Sequence, residues 1–339
     1  MNLRRYRVAA ALVAAVLLLA GCTAERDPAA AGPTACPTGS PCPDPLASVS
    51  PSPERWREIH GLSTARQEVA AAVVEGRVFI VGGLVEDGSA TDDVDRFDPA
   101  DGTKTQMPRL PVKLHHAMAS ELDGRLVVMG GFIGGLGGVA TRRVFILEGD
   151  RWREGPSLRR ARGAGAAVTV TAGRDHIIVV VGGISGGSHV GPVEIFDGMA
   201  WRDGATIPSL RDHLGAATDG RLVYAVGGRR SGSHYPTFDV YDPATDRWSD
   251  LTDMPTARSG NGAAFAAGTI FSVGGEGPRI FPEVEAYDIA ARTWRRLPDL
   301  AIPVHGAGVA VLGRTLFAFG GGYRVGLAPT RACQVLAIG

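Results

Sequence analysis

Cysteine is scarce in this chain and badly distributed for a disulfide framework. The four cysteines stand at 22, 36, 42 and 333, so three of them precede the bulk of the 339 residues. That excludes a fold stapled by disulfides, and it excludes Cys-paired zinc modules in the main body. Excess charge is also missing: 35 Lys and Arg balance 35 Asp and Glu. A nucleic-acid partner needs a basic face and finds no support here. Long helical periodicity is absent after the first 25 residues. No HExxH, GxSxG or phosphate-binding loop occurs, and "GGLGG" at 134–138 has no strand–helix context for a dinucleotide.

Glycine is abundant instead. Its 47 residues are about twice the usual ~7% share. Short apolar runs between many glycines point to an all-β chain rich in turns.

The N-terminus reads as an address. Arg4, Arg5 and Arg7 precede the apolar run Val8 to Ala20, which suits a signal-peptide core and is short for a membrane span. It ends in Leu19-Ala20-Gly21-Cys22, which resembles the bacterial lipobox. The reading is a signal peptide over 1–21, lipidation at Cys22 and anchoring to the outside of the cell membrane. Residues 22–54 are rich in Pro, Ala, Ser and Thr and read as a disordered tether. Cys36 and Cys42 lie within it, either as a small disulfide loop or as two free thiols.

From residue 55 to 339 one phrase recurs six times: an apolar run closed by two glycines. The first glycines stand at 82, 130, 182, 227, 274 and 320. Each repeat follows one order. A strand of small residues comes first, then the apolar strand, then a variable loop. A third strand ends in an aromatic–acid pair such as Phe97-Asp98 or Tyr287-Asp288, and a fourth begins with Trp152, Trp201, Trp248 or Trp294. Lys104 takes the tryptophan's place in the first repeat. The last repeat runs out before its fourth strand, while Trp56 is left over ahead of the first. The N-terminal segment is therefore expected to supply the missing strand.

This pattern resembles the kelch repeat. The resemblance implies a six-bladed β-propeller, all-β, with its last blade closed by an N-terminal strand. It also implies that polar and basic residues at the first-strand starts and in the second-to-third-strand loops bind partners at the channel mouth. At the strand starts, Arg66, Arg162, Arg211 and Arg258 share one register, and Glu68, His116, His213 and His305 are placed two positions later. The loops add Arg229, Arg230, His234, Tyr235, Glu276, Arg279, Tyr323 and Arg324. Arg suits carboxylate recognition, so this ring reads as an electropositive mouth for an acidic glycan or an envelope protein. The same arginines could equally serve as ties within the propeller. The histidines sit on different blades, a placement read as too dispersed for a metal, and no cofactor is expected. The protein is expected to be a monomer. Among kelch enzymes, the copper–radical chemistry of galactose oxidase needs a Tyr–Cys cross-link, and Cys333 in "ACQVLAI" reads as a core thiol instead. N-acetylneuraminate epimerase supplies the enzymatic alternative: a sugar epimerase or mutarotase using Glu68, Glu276 and a histidine.

Overall fold

A computed structural model describes residues 55–338. Cys22, Cys36, Cys42, the signal segment and the tether lie outside the described residues. Six four-stranded antiparallel sheets follow one another along the chain. Blade 1 comprises Ala70–Val74, Arg77–Val81, Val94–Phe97 and Lys104–Gln106. Blade 2 comprises Met118–Leu122, Arg125–Met129, Val144–Glu148 and Arg151–Glu154. Blade 3 is Ala166–Ala172, Asp175–Val181, Pro192–Phe196 and Trp201–Thr206, and blade 4 is Gly215–Thr218, Val223–Val226, Phe238–Asp242 and Arg247–Asp250. Blade 5 is Gly262–Ala266, Thr269–Val273, Val284–Asp288 and Thr293–Leu297. Blade 6 takes Gly308–Leu312, Thr315–Phe319 and Cys333–Ala337 from the C-terminal end and Arg57–Ile59 from the N-terminal end. Arg57 faces Val335 and Ile59 faces Cys333 in that closing pair. The first strand of each blade contacts that of the next, and blade 6 contacts blade 1, so the ring is complete.

The core is divided by the ring. Six apolar clusters occur, one at each interface between neighbouring blades. Second strands carry continuous apolar runs because both faces are covered, as in the fully buried Val223–Val226. First strands alternate, as in Ala70–Val74, where Ala71 and Val73 turn toward the channel. Small residues are required there: a Cβ on Gly308 would stand 2.8 Å from Ala71 Cβ of the next blade.

The paired glycines answer to the same geometry. All twelve have positive φ, near 60° at the first and between 90° and 117° at the second. A Cβ on Gly320 would lie 2.7 Å from the Arg66 carbonyl, and one on Gly227 would lie 2.7 Å from that of Arg258. The second glycine's amide then donates to that same carbonyl, as Gly228 does to Arg258 at 3.0 Å. A side chain at either position would prevent the blades from meeting.

The tryptophans tie blades together. Trp248 donates its indole N–H to Ala205 within the preceding blade's fourth strand, and Trp152, Trp201 and Trp294 each donate to a carbonyl just beyond the corresponding strand. Trp56 does the same to Pro298 at 3.0 Å, which locks the N-terminal strand against blade 5. Lys104 instead lies over the Phe97 ring. Cys333 is fully buried, and burial pushes its thiol up to about 11.

Candidate functional site

The first-strand starts converge on the axis, but they sort into two groups. Arg66, Arg162, Arg211 and Arg258 have no exposed surface. Each turns into its own blade and meets an acid on the third strand: Asp95, Glu194 at 2.7 Å, Asp239 at 2.7 Å and Glu285 at 2.9 Å. Further donors go to backbone carbonyls, including that of the first glycine, as Arg162 gives to Gly182 at 3.0 Å. A ligand at the mouth cannot reach them, so the expected ring of binding arginines is corrected to a ring of internal braces. The electropositive mouth goes with it, because each charge is cancelled inside its blade.

The sequence carries the missing signal. Asp95, Glu194, Asp239 or Glu285 stands on the third strand wherever the strand start holds Arg, as its third residue in blade 3 and its second in blades 1, 4 and 5. Where the start holds Leu114 or Val304, the second residue of the third strand is Phe145 or Gln334. The repeats vary their two partners together.

Two residues after the arginine register comes a collar. Glu68, His116, Ala164, His213, Gly260 and Gly306 occupy equivalent places, and all six have φ between 51° and 61°. His116 N–H donates to Glu68 O at 3.0 Å, Ala164 to His116 at 2.9 Å and His213 to Ala164 at 2.7 Å. Gly260 donates to His213 at 2.7 Å, Gly306 to Gly260 at 2.8 Å, and Val69 to Gly306 at 3.2 Å, which closes the circle. His305 is therefore corrected by one position: Gly306 is the collar residue of blade 6, and His305 aligns with Gln67, His115 and Asp212.

The left-handed region costs a side chain about 1 kcal/mol or more. Three of the four non-glycine collar residues are nonetheless Glu68, His116 and His213. The conformation turns them to the axis, where they line a cavity of about 150 Å³ floored by the small residues of the first strands. His116 Nε2 lies 3.1 Å from Glu68 Oε2, and the rings of His116 and His213 are 4.8 Å apart. Donor atoms of all three residues lie within 4.8 Å of one another. The reading that separate blades keep these groups too dispersed for a metal is overturned, because the collar brings them together.

Charged neighbours surround this trio. His305 Nδ1 lies 3.1 Å from Glu68 Oε1 and 3.6 Å from Glu276 Oε2. Arg229 donates to Glu276 at 2.6 Å and to His213 Nε2 at 2.9 Å. Asp212 accepts from His213 Nδ1 and lies 2.7 Å from His189 Nε2. Burial would raise the Glu68 carboxyl, but His116, His305 and His213 outweigh it and hold the group well below the usual carboxylate range. Burial pushes His116 down to about 3, so its ring is neutral at pH 7. Burial also lowers His115. Burial opposes charge on His305 too, yet Glu68 and Glu276 raise it overall. His115, His189, Asp212 and Gln67 were not singled out by sequence reasoning, although the triplets "LHH" (114–116) and "RDH" (211–213) contain His115 and Asp212.

The loop residues lie farther out. His234 donates or accepts with Ser259 Oγ at 3.0 Å, and Tyr235 is half-buried. Arg279 pairs with Glu283 and covers Phe281, while Arg324 covers Tyr323. Arg230 is exposed and has no acidic partner among the described residues. On the other side of the mouth, Ile133, Leu136, Val139, Tyr323 and Val325 are exposed apolar groups. Their loops are knitted together: Leu136 N–H donates to Gly88 O, and Gln67 bonds Gly326 O and Ala328 N–H. A Cβ on Gly88 would touch both Leu136 and Leu327.

The kelch motif is matched at residues 65–111, 210–255 and 257–301, which cover blades 1, 4 and 5. The chain is a kelch-repeat propeller. It is similar to "Kelch-like protein terF" of Aspergillus terreus, at 29% identity over 268 residues, covering 69% of this chain and 57% of that one. It is also similar to human "Kelch-like protein 34", at 26% identity over 239 residues and 65% and 36% coverage. The kelch chain thus spans between about a third and just over half of these curated relatives. The solved structure titled "Structure of YjhT" superposes with a TM-score of 0.68 at 14% identity, covering 80% of this chain and 95% of that one. That likeness establishes the shared fold.

Proposed function

We propose that this kelch propeller is a binding module that holds a partner protein against its mouth face. The observation that carries the reading is the exposure of Leu136, Val139, Tyr323 and Val325 on loops whose Leu136 and Leu327 both approach Gly88. Exposed apolar ground of this kind, rimmed by polar groups, is characteristic of protein-binding surfaces. Arg230, on the blade 4 loop of the same face, suits a partner loop that carries an acidic residue beside its apolar anchor. The N-terminal basic start, apolar run and Leu-Ala-Gly-Cys sequence support export, lipidation at Cys22 and a tether to a propeller beginning near residue 55. The partner on this reading is an envelope protein. An acidic glycan fits less well, because four of the arginines that would hold it are enclosed. The sugar epimerase alternative would have to use the axial cavity that Glu68, His116 and His213 line.

The test is cross-linking in native membranes followed by purification of the tagged chain. Leu136→Asp with Val139→Asp should abolish the cross-linked partners that the wild type captures. Met199→Asp, at a site 81% exposed in the turn between the third and fourth strands of blade 3, should retain them. Partners unaffected by the loop substitutions would overturn the reading.

A further inference from the structure

The collar histidine His116 is part of a chain of hydrogen bonds that is one proton short. His115 Nε2 faces Gly135 O at 3.1 Å, and His115 Nδ1 faces His116 Nδ1 at 2.6 Å. His116 Nε2 then faces Glu68 Oε2 at 3.1 Å. A peptide carbonyl only accepts, so His115 donates through Nε2 and presents a lone pair at Nδ1. His116 must donate to that lone pair through Nδ1. Its Nε2 is left with a lone pair aimed at a carboxylate. Two neutral rings carry two ring protons, and three contacts need three. Reversing the chain only moves the clash to Gly135.

His213 is oriented in the same sense. Asp212 accepts its Nδ1 proton, so its Nε2 also presents a lone pair, now met by the Arg229 guanidinium at 2.9 Å. A carboxylate behind a histidine in this manner is the usual outer-shell support of a metal-binding imidazole. Donors bound to one tetrahedral zinc at ~2.0–2.1 Å stand about 3.3 Å apart. The Glu68–His116 separation of 3.1 Å already meets that, and the His213 donor lies within 4.8 Å of both. All three side chains line the axial cavity, which leaves room for a water or a small anion on the open position.

We propose that Glu68, His116 and His213 form a binding site for one divalent transition-metal ion, with zinc as the best-matched ion. The cation takes the place of the missing proton between His116 and Glu68. Two imidazoles and one carboxylate are a donor set suited to such ions. Asp212 and His115 act as positioning residues that fix the two imidazole tautomers. Arg229 competes for the site, because its guanidinium now occupies the lone pair that His213 would give the metal. It keeps its contacts with Glu276 and Asp212 when that lone pair is released.

The experiment is calorimetric titration of zinc into chelator-treated full chain, paired with cobalt titration followed by visible absorption. The wild type should bind one equivalent at this site and give the intense bands of low-symmetry cobalt. His116→Gly and His213→Gly keep the left-handed backbone without strain, and each should weaken binding at least tenfold. Arg229→Gln should tighten it. Circular dichroism confirms that the variants fold. The proposal is overturned if zinc binds equally to the wild type and both glycine variants. It is also overturned if zinc does not bind and 15N-histidine spectra show His116 as an imidazolium, since a proton then fills the gap.

Discussion

Arg211 and His213 stand two positions apart, and the two have opposite fates. The arginine is sealed inside its blade with Asp239, whereas the histidine is turned to the axis and faces a cavity. The same contrast holds between Arg66 and Glu68. In an ordinary strand, residues two apart share a face. Here the left-handed collar residue breaks the alternation, so one short segment serves both architecture and chemistry. Polar character at a strand start therefore does not by itself indicate function. What distinguishes the two registers is whether the side chain has a dedicated partner in its own repeat.

The largest effect should come from the braces. Arg258→Leu leaves Glu285 charged and buried, and breaking such a pair typically costs about 3–5 kcal/mol. Chemical denaturation should show that loss, and Arg258→Leu with Glu285→Gln should recover part of it. If the single substitution proves neutral, the braces are not what the comparison makes them. Next comes Cys333, which packs near the brace formed by Arg66 and Asp95. Its thiol is raised from the ordinary 9.0 to about 11. The unfolded thiol ionises first as pH rises, so the stability this group contributes is complete below about pH 9 and declines toward about pH 11. Cys333→Ser should flatten that decline in a pH series of thermal melts. Alkylation of Cys333 at pH 8 should be slow in the wild type and faster in Arg66→Leu.

Smaller effects sharpen the other side. Trp248→Phe removes one interblade hydrogen bond and should cost about 1 kcal/mol. The smallest effect is expected at the collar. His116→Gly should be at least as stable as His116→Ala, by up to about 1 kcal/mol, because glycine accepts positive φ freely. A glycine variant less stable than the alanine one would mean that the collar is not strained, and the distinction between braces and site would lose its basis.

Much of the fold was legible in the sequence. Gly82-Gly83 and its five counterparts mark the end of each second strand because no side chain fits where a neighbouring carbonyl approaches. Trp56 announced the closing strand, since it lacked a repeat of its own. The site was less legible. Arg66 looks like a binding residue until Asp95 is placed beside it, and that partner lies in another strand of the same repeat. His305 looks like a member of the His213 register until Gly306 is seen to hold the left-handed place. The gathering of Glu68, His116 and His213 depends on a backbone sign, and only glycine advertises positive φ in a sequence.

The closing pair of Arg57–Ile59 with Cys333–Val335 joins the first-made part of the propeller to the last. A chain that emerges from its N-terminal end cannot complete blade 6 until nearly every residue is present. Until then the seams on either side of that blade stand open, and Phe317 and Phe319 lack the cover that only a finished circle provides. Assembly is thus subject to a final inspection: a chain truncated before residue 333 has five blades and no way to hide their edges.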